Sequence, residues 1–334
     1  MEPMVSICTA AYQHAPYIAK ALDSFLMQKT TFPFEILIHD DASTDGTVEI
    51  LREYQAKYPD IVKPLFEDEN QYSKGVPIDP TFNFSRARGK YIALCEGDDC
   101  WLTEDKLQKQ VDYMEAHPDC TFCFTNAIIT DVSGKVPDRD FLPYYEEEKA
   151  AFPYADHDYL LGDMAALNFI PTASFLFPRA VWERVQEEYF RKKCEYGDLK
   201  MRMYFTSEGY AHYLHLFSCL YRENVSGSAF QVWKKESAEK TVRRAASAAE
   251  MLDDVDRRTG SRFKAELQPI KDRFLFVELW NTTEKKPLSR PEMRRVYKAL
   301  PAKQRLRWRL KRLLPRKLID FAKKFCPSLR KTAH

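Results

Sequence analysis

Three carboxylates that directly follow an apolar run place the strongest constraint on the fold. Residues 91–95 predict a short buried strand, and Glu96, Asp98 and Asp99 come next, before a helix that begins near Thr103. Carboxylates this close raise one another's pKa values, and a divalent cation offsets their repulsion. Ligands of an open α/β sheet bind beyond the carboxyl ends of its strands, which is where this group would lie. Taken alone, an acidic turn that caps the helix is the competing interpretation.

The residues before this turn predict a parallel sheet. Apolar runs alternate with segments of helical spacing: strands at residues 5–10, 34–39 and 61–66, and helices at residues 16–26 and 47–58. Strands that alternate with helices form a parallel sheet with helices on both faces. The predicted fold class is therefore α/β. A further apolar run at residues 169–177 predicts another buried strand, and residues 230–300 add a charged segment of helical character.

A second acidic group, at residues 40–47, follows the second predicted strand. Two acidic strand ends on one sheet indicate a site, because both would lie at the same edge. Asp41 could hydrogen-bond a base amide or a ribose hydroxyl. Asp45 and Thr47 are better explained as a turn former and a helix N-cap.

The composition limits how the chain could bind a nucleotide. Its 334 residues are 45% hydrophobic and 13% aromatic, which is typical of a globular protein. It has 10 glycines, and neither of the glycine-rich phosphate-binding patterns occurs in it. A nucleotide must therefore be held by other groups. This argues against a sugar nucleotidyltransferase, which would need a glycine-rich phosphate loop near residues 9–12.

The sequence also predicts a reducing, cytoplasmic location. It shows no secretory signal and no apolar run close to the roughly 20 residues of a membrane span. Several of the 8 cysteines lie in apolar runs, where they would pack as small hydrophobic residues. Cys120 and Cys123 fall on opposite faces of a strand predicted at residues 120–130, which argues against a metal or redox pair.

Three stretches together resemble the family 2 glycosyltransferases, whose catalytic domain has the GT-A fold: VSICTAAY at residues 5–12, IHDDASTDGT at 38–47 and GKYIALCEGDD at 89–99. Their order and spacing match the family as well as their residues do. The resemblance extends over about residues 4–228. It implies an enzyme that transfers a sugar from a nucleotide diphosphate donor and inverts the anomeric centre.

The resemblance implies a donor site at these strand ends. It would place Thr9, Ala10 and Tyr12 around the base and ribose of a donor, with a lean to a UDP-sugar, and Asp41 on the base. The third stretch corresponds to the family's Asp-x-Asp site, with Glu96 at the position of the usual first Asp and facing the ribose. Asp98 and Asp99 are then the ligands of a divalent metal, Mn²⁺ or Mg²⁺. Arg86 and Arg88 precede the strand and would approach the phosphates.

Further along the chain, the resemblance implies a catalytic carboxylate at Asp198, as general base for the acceptor hydroxyl. From its surroundings alone Asp198 is a first-turn helix acid, and Glu195 is a weaker rival for the role. A closing motif at residues 221–228 departs from the family, because many members have His where this chain has Asn224. His212 or His215 could substitute for that His, although sheet positions explain both better.

The end of the chain is basic and amphipathic. Residues 301–334 hold twelve Lys or Arg and one acid, with leucines and phenylalanines on one helical face, and Pro315 dividing the helix. Such a segment can lie on an anionic membrane surface. Nucleic acid is not expected as a partner, because no nucleic-acid-binding motif accompanies the charge. Packing of the segment on the catalytic domain is the alternative.

These observations predict the following organisation: a GT-A domain at residues 1–228, with a nucleotide-sugar half at 1–117 and an acceptor half at 118–228, a helical extension at 229–300, and a basic tail at 301–334. The tail suggests an enzyme peripheral to the inner face of the cell membrane. Its acceptor would be a glycan or a lipid-linked sugar in the assembly of a bacterial surface polysaccharide or glycolipid. A catalytically inactive scaffold that binds nucleotide sugars is the non-enzyme alternative.

Overall fold

The computed structural model describes residues 2–135, 137–145, 149–225 and 236–313. Ten strands of this part form one mixed sheet: β1 (Val5–Ala11), β2 (Phe34–Asp40), β3 (Val62–Phe66), β4 (Tyr91–Leu94), β5 (Cys100–Trp101), β6 (Cys120–Thr130), β7 (Pro137–Asp140), β8 (His157–Tyr159), β9 (Leu176–Pro178) and β10 (Tyr210–Arg222). Their order across the sheet is β3-β2-β1-β4-β9-β6-β10-β5, with β7 beside β6 and β8 beside β10.

The amino-terminal third of the chain forms the parallel part of the sheet. β1 pairs in parallel with β2 and β4, and β2 pairs in parallel with β3. Parallel strands end at the same edge, so β1, β2 and β4 deliver their following loops to one place. β9 then pairs antiparallel with β4 and β6, and β6 pairs in parallel with β10. The parallel arrangement of β1, β2, β3 and β4 agrees with the sequence prediction.

Ten α-helices accompany the sheet in the described residues: α1 (Ile18–Leu26), α2 (Thr47–Lys57), α3 (Lys106–Ala116), α4 (Leu161–Ala166), α5 (Arg179–Arg191), α6 (Gly197–Thr206), α7 (Ala238–Arg258), α8 (Lys264–Asn281), α9 (Pro291–Ala299) and α10 (Ala302–Leu313). The apolar positions that predicted α1 are its core face, since Ile18, Leu22 and Phe25 are fully buried. The segment after residue 236 is helical, as expected.

One predicted strand is wrong. The apolar run at residues 169–177 forms a single 3-10 turn at Thr172–Ser174, and only Leu176–Pro178 is a strand. Pro171 interrupts the run, because its ring has no N–H to offer a neighbouring strand. The chain turns there instead, with the Ser174 amide bonded to the Pro171 carbonyl.

Two hydrophobic cores organise the described part of the chain. The main core lies between the sheet and its helices and also includes residues of α7 and α8, such as Leu252 and Leu267. A smaller core joins α8, α9 and α10 around Leu279 and Trp308. The division of the chain at residue 228 stays a prediction, but α7 and α8 share the core of the sheet.

A lysine side chain is fully buried beside the sheet. Lys106, at the start of α3, is 0% exposed, and its Nζ donates to Gln110 Oε1 at 2.7 Å. The same nitrogen lies 4.2 Å from the centre of the Trp101 ring. Burial lowers the pKa of Lys106, because the charged ammonium loses its hydration.

The carboxyl-terminal helix docks through one face. The Trp308 ring is buried and its Nε1 donates to the Leu279 carbonyl, whereas Leu306 and Leu310 are 58% and 45% exposed. None of the helices in the described ranges is long and apolar enough to cross a membrane. The apolar residues predicted for the rest of the tail, and Pro315, lie outside the described residues.

Candidate active site

The acidic turn after β4 is tied to the end of β1. The Gly97 amide donates to the Ala10 carbonyl at 3.0 Å, and the Asp99 amide closes the turn onto the Glu96 carbonyl at 3.0 Å. A Cβ at Gly97 would lie 2.8 Å from His14 Nδ1 and 3.2 Å from the Ala10 carbonyl oxygen. The His14 and Ile18 side chains and the backbone of β1 leave little room for a Cβ, which favours glycine at position 97.

The three carboxylates of the turn have different surroundings. Asp98 is partly exposed, with its Oδ2 3.9 Å from His14 Nε2. Asp99 is 3% exposed, and its Oδ1 accepts the Arg222 amide at 2.9 Å. Glu96 is partly buried, and its Oε2 has no hydrogen-bond partner among the described residues.

The turn is electrostatically unfavourable without a cation. Burial, followed by the charges of Asp98 and Glu96, raises the pKa of Asp99. Burial and then the charge of Asp98 raise the pKa of Glu96, and Asp198 contributes to the same rise. A divalent cation would remove these penalties, because it favours the ionised forms of all the neighbouring carboxylates.

The turn suits a metal that is completed by its substrate. No three His, Cys, Asp or Glu side chains converge as a preformed metal site in the part of the chain that the structure describes. Mg²⁺ is usually bound through one or two carboxylates together with substrate phosphates, and carboxylate oxygens also suit Mn²⁺. The carboxylates of Asp98 and Asp99 match that donor set. The unpartnered Oε2 of Glu96 adds an acceptor for a ligand at the same place.

Arg222, at the end of β10, fixes the acidic turn from the other side. Besides the backbone contact with Asp99, its Nη1 donates to the Asp98 carbonyl. Its guanidinium lies 5.2 Å from the centre of the Tyr17 ring. Neither Arg222 nor His14 was assigned a role from sequence. His14 follows β1 and Arg222 ends β10, and this position at a strand end is the sequence feature that could have identified them as site residues.

The end of β2 is held by a loop. The carboxylate of Asp41 is 2% exposed, and its two oxygens accept the backbone amides of Gln71 at 2.7 Å and Tyr72 at 3.0 Å. Asp41 therefore anchors the loop after β3 over this strand end. The predicted contact between Asp41 and a base stays a prediction, and it would place the base beside this loop.

The remaining donor-side residues lie at the end of β1. Thr9 is fully buried, and its Oγ1 has no partner within the described ranges. Ala10 uses its carbonyl to hold Gly97, and Tyr12 is 43% exposed just beyond the strand. Thr9, Ala10, Tyr12 and the acidic turn are thus neighbours, as the prediction of a donor site requires.

The loops after β1 and β2 are bonded to each other. The amides of Gln13 and His14 donate to Ser43 Oγ and Thr47 Oγ1, both at 2.9 Å. Asp45 Oδ1 accepts the Thr47 amide and hydroxyl at the start of α2. Asp45 therefore has the structural role expected of a turn former, whereas the predicted N-cap role of Thr47 is wrong, because Gly46 occupies the N-cap and Thr47 is the first helical residue. Their bonds make one rigid rim at this edge of the sheet.

Arg88 does not lie at this rim. Its guanidinium donates to Glu35 Oε2 at 2.8 Å, at the amino end of β2 and therefore at the opposite edge of the sheet. Lys63 and Ser6 also donate to the Glu35 carboxylate. Burial alone would raise the pKa of Glu35, but the hydrogen bonds from Lys63, Arg88 and Ser6 outweigh it and lower the pKa to about 2.

Arg86 is also a structural residue. Its guanidinium donates to the carbonyls of Lys63 and Ile38 and to Asn83 Oδ1. These contacts bind the segment before β4 to β2 and β3. The sequence interpretation of Arg86 and Arg88 as phosphate ligands followed from their place before the strand, but that place is the amino end of β4, whereas the site is at its carboxyl end.

Asp198 is the second residue of α6 and is partly exposed. After burial and the charges of Asp98 and Asp79, the charge of Asp198 also contributes to the rise in the pKa of Glu96. The start of α6 is therefore within electrostatic range of the acidic turn. Glu195 is exposed in the loop before the helix.

The histidines of β10 are far from the acidic turn. His212 bonds Asp158 Oδ1 at 2.7 Å near the start of the strand, and His215 Nδ1 bonds the Tyr213 hydroxyl. At about 3.3 Å per residue, His212 lies roughly 33 Å along the strand from Arg222. Neither histidine can replace the family His. Asn224 itself has a left-handed backbone with φ 65°, a conformation that Asn tolerates.

Comparisons with known proteins identify the family of the chain. The sequence profile described as glycosyl transferase family 2 matches residues 6–174, about half of the chain. An uncharacterized protein of Mycobacterium tuberculosis is 39% identical over 175 residues, which cover 52% of this chain and 47% of that protein. The putative teichuronic acid biosynthesis glycosyltransferase TuaG of Bacillus subtilis is 33% identical over 138 residues, which cover 41% of this chain and 52% of TuaG. The chain spans about half the length of these curated relatives.

Solved structures of other transferases share the fold. TarS of S. aureus in complex with UDP-GlcNAc has a TM-score of 0.57 at 17% identity and covers 94% of this chain and 88% of its own. The mannosyltransferase PcManGT from Pyrobaculum calidifontis, in complex with GDP-Man and Mn²⁺, has a TM-score of 0.54 at 18% identity, with coverages of 97% and 87%. These similarities confirm the predicted GT-A fold.

Proposed function

The chain belongs to glycosyl transferase family 2, and on that premise we propose that it transfers a sugar from a nucleotide diphosphate donor to an acceptor hydroxyl with inversion at C1. One observation carries the proposal. The acidic turn of Glu96, Asp98 and Asp99 lies at the carboxyl edge of the sheet, where Arg222 holds it, and Asp198 is within electrostatic range of Glu96. A transferase needs these two parts, one for the leaving diphosphate and one for the attacking hydroxyl.

The proposed reaction assigns one task to each part. Asp198 accepts the proton of the acceptor hydroxyl as its oxygen attacks C1, and the nucleoside diphosphate leaves from the opposite face. A single displacement inverts the anomeric centre. Glu96, whose Oε2 has no partner in the described part of the chain, accepts a ribose hydroxyl. Arg222 keeps the turn in place through its bonds to Asp98 and Asp99.

We assign the metal to Asp98 and Asp99. A divalent ion bound there neutralises charge on the leaving diphosphate. The oxygen-only donor set favours Mn²⁺ or Mg²⁺ over zinc. His14 borders the same place, with its Nε2 3.9 Å from Asp98 Oδ2.

The donor and acceptor are proposals at the level of chemical class. The base is proposed to be uracil, read by Asp41 beside the loop that it anchors, and TarS, which shares the fold, was solved with UDP and UDP-GlcNAc. The acceptor is proposed to be a glycan or a lipid-linked sugar of a bacterial surface polymer. The name of TuaG, a putative teichuronic acid biosynthesis enzyme, supports this class.

We propose that α10 brings the enzyme to an anionic membrane surface, on its cytoplasmic face. α10 has six Lys or Arg, no acid in its first turn, and the exposed side chains of Leu306 and Leu310 on the face opposite Trp308. Exposed leucines flanked by basic residues suit the interface of an anionic bilayer. The basic residues of the undescribed tail would add to this attraction.

Vesicle flotation tests the membrane proposal without any reaction. The protein should float with vesicles that contain phosphatidylglycerol and not with pure phosphatidylcholine. The double change Leu306→Glu and Leu310→Glu should abolish flotation, whereas Met27→Glu, an exposed residue of α1's end, should not. Equal binding by the double variant, or by a chain that lacks residues 301–334, would contradict the proposal.

A donor screen tests the transferase proposal. Nucleotide sugars are incubated with the protein, with and without Mn²⁺, and release of the nucleoside diphosphate is measured; slow hydrolysis is expected even without acceptor. Asp98→Asn and Asp99→Asn should abolish metal-dependent release from one donor. Asp105→Asn, which breaks only an exposed ion pair with Lys109, is the matched control. No release from any donor, with nucleotide binding retained, would favour the inactive scaffold.

A further inference from the structure

The helical extension lies along the helix that carries Asp198. α7 runs beside α6, and the two are bonded near the end of α6, where the Tyr204 hydroxyl donates to Asp254 Oδ2 at 2.8 Å. Beyond that point, Arg258 Nε donates to Glu208 Oε1 at 3.1 Å. These bonds fix the distal end of α6, and the opposite end, next to Asp198, is held by different side chains of the extension.

Tyr196, the N-cap residue of α6, contacts two helices of the extension. The guanidinium of Arg244, on α7, lies against the Tyr196 ring, with its Cζ 5.5 Å from the ring centre. Phe274, on α8, packs against the same ring with 5.5 Å between the ring centres. The Tyr196 carbonyl accepts the Lys200 amide at 3.0 Å, so this residue begins the helical hydrogen bonding.

Arg244 is itself fixed in a buried setting. Its side chain is 5% exposed and forms an ion pair with Glu236, whose side chain is 6% exposed. Thr241 Oγ1 also donates to Glu236 Oε1, at 3.1 Å. A buried guanidinium with a buried carboxylate partner has a defined position, because neither group can swing into water without losing the other.

We propose that Arg244 is a positioning residue for Asp198, and that the helical extension is thereby part of the active site. Asp198 lies two residues after Tyr196 in the first turn of α6. A helix behaves as a stiff rod over one turn, so a displacement of Tyr196 moves the Asp198 carboxylate by a similar amount. This inference rests on the proposed role of Asp198 as the base.

Kinetics of three variants test the inference. Arg244→Gln should lower kcat for sugar transfer by roughly 10- to 100-fold, because a misplacement of about 1 Å can cost that much. The Kd for the nucleoside diphosphate should stay within about twofold of the wild type, since the donor edge is built on other strands. Arg244→Lys should recover part of the loss, and Tyr196→Phe should show a smaller loss in a fully folded protein.

Lys271→Gln is the control, because it breaks an ion pair between α8 and Asp253 of α7 that lies away from Tyr196. It should leave kcat unchanged. Arg244 also lies within electrostatic reach of Tyr72, on the loop that Asp41 anchors. A weakened nucleotide Kd in Arg244→Gln would show that Arg244 acts through that loop, and would overturn the inference.

A double-mutant cycle separates positioning from general structural support. If Arg244 acts through Asp198, Arg244→Gln should cost little in a chain that already has Asp198→Asn. Additive losses would overturn the inference and leave the proposed function standing. Full activity of Asp198→Asn alone would overturn the proposed function and this inference with it.

Discussion

The buried carboxylate of Glu35 should be a major stabilising group and have no part in donor binding. Its oxygens receive Ser6 Oγ at 2.8 Å, the Arg88 amide at 3.0 Å, the Arg88 guanidinium at 2.8 Å and Lys63 Nζ at 2.7 Å. Ser6 in turn accepts the Gly89 amide at 2.9 Å. Glu35 therefore joins β1, β2, β3 and the start of β4 at the edge of the sheet away from the site.

The magnitude follows from the pKa of Glu35, which is lowered to about 2. Against an unfolded pKa near 4.3, this corresponds to roughly 3 kcal/mol of stability at neutral pH. The folded pKa is depressed, so the contribution is complete above the unfolded pKa and is lost as the pH falls toward the folded one. At pH 3 about 1 kcal/mol should remain.

Urea unfolding of wild type and Glu35→Gln checks this. The difference in unfolding free energy should be about 3 kcal/mol at pH 7 and shrink to about 1 kcal/mol at pH 3. Glu104→Gln, which breaks an exposed pair with Lys29, should cost less than about 1 kcal/mol at either pH. A difference for Glu35→Gln that does not change with pH would refute the reasoning. Weaker nucleotide binding by Arg88→Ala would restore Arg88 to the donor site.

Three further predictions concern the core and the rim of the site. Gly97→Ala should lower kcat at least roughly tenfold, because a Cβ forces the acidic turn to move, whereas Gly197→Ala, which has open space around it, should remain active. Lys106→Met should have a free energy of unfolding at least as large as that of wild type at pH 7. Because the folded pKa of Lys106 is lowered, the unfolded wild-type chain binds more protons than the folded one, and the stability of wild type relative to Lys106→Met should rise as the pH rises toward 10. Asp41→Asn should speed hydrogen exchange of the amides at residues 71–72, because one of their two carboxylate acceptors is lost.

The parallel half of the sheet was predictable because local pattern decides it. β1, β2 and β4 are buried along nearly their whole length, so each appears in the sequence as a mainly apolar run. Parallel pairing then places all three carboxyl ends together, and the residues that follow them become neighbours. The gathering of Thr9, Asp41 and Glu96 needed no knowledge of distant contacts.

The second half was less predictable, because its strands depend on distant partners. β9 has only three residues, and its pairing with β4 and β6 cannot be predicted from residues 169–177. Within that run, Pro171 was the residue that argued against a continuous strand. The joining of Arg222 to the acidic turn spans 123 residues of sequence. Such contacts follow from the order of strands in the sheet, which local periodicity does not contain.

Arg86 and Arg88, predicted as phosphate ligands, lie at the wrong edge of the sheet for that role. Arg86 and Arg88 lie close in sequence to Glu96, but a strand of four residues separates them, and they therefore occupy the opposite end. Strand direction alone would have excluded them as phosphate ligands. Arg244, in contrast, is distant in sequence from Tyr196 but lies beside it. Helix packing produces this contact, and the residues around Arg244 in the sequence do not predict it.

The rate of sugar transfer by Asp198→Asn, compared with Glu195→Gln, tests the central claim most directly. With a donor identified by the screen and a saturating acceptor, Asp198→Asn should lose at least about a hundredfold in kcat and keep its nucleotide Kd, since it removes a base that acts only in the chemical step. Glu195→Gln should stay near wild type. Full transfer by Asp198→Asn, or a loss in Glu195→Gln instead, would contradict the account of the site.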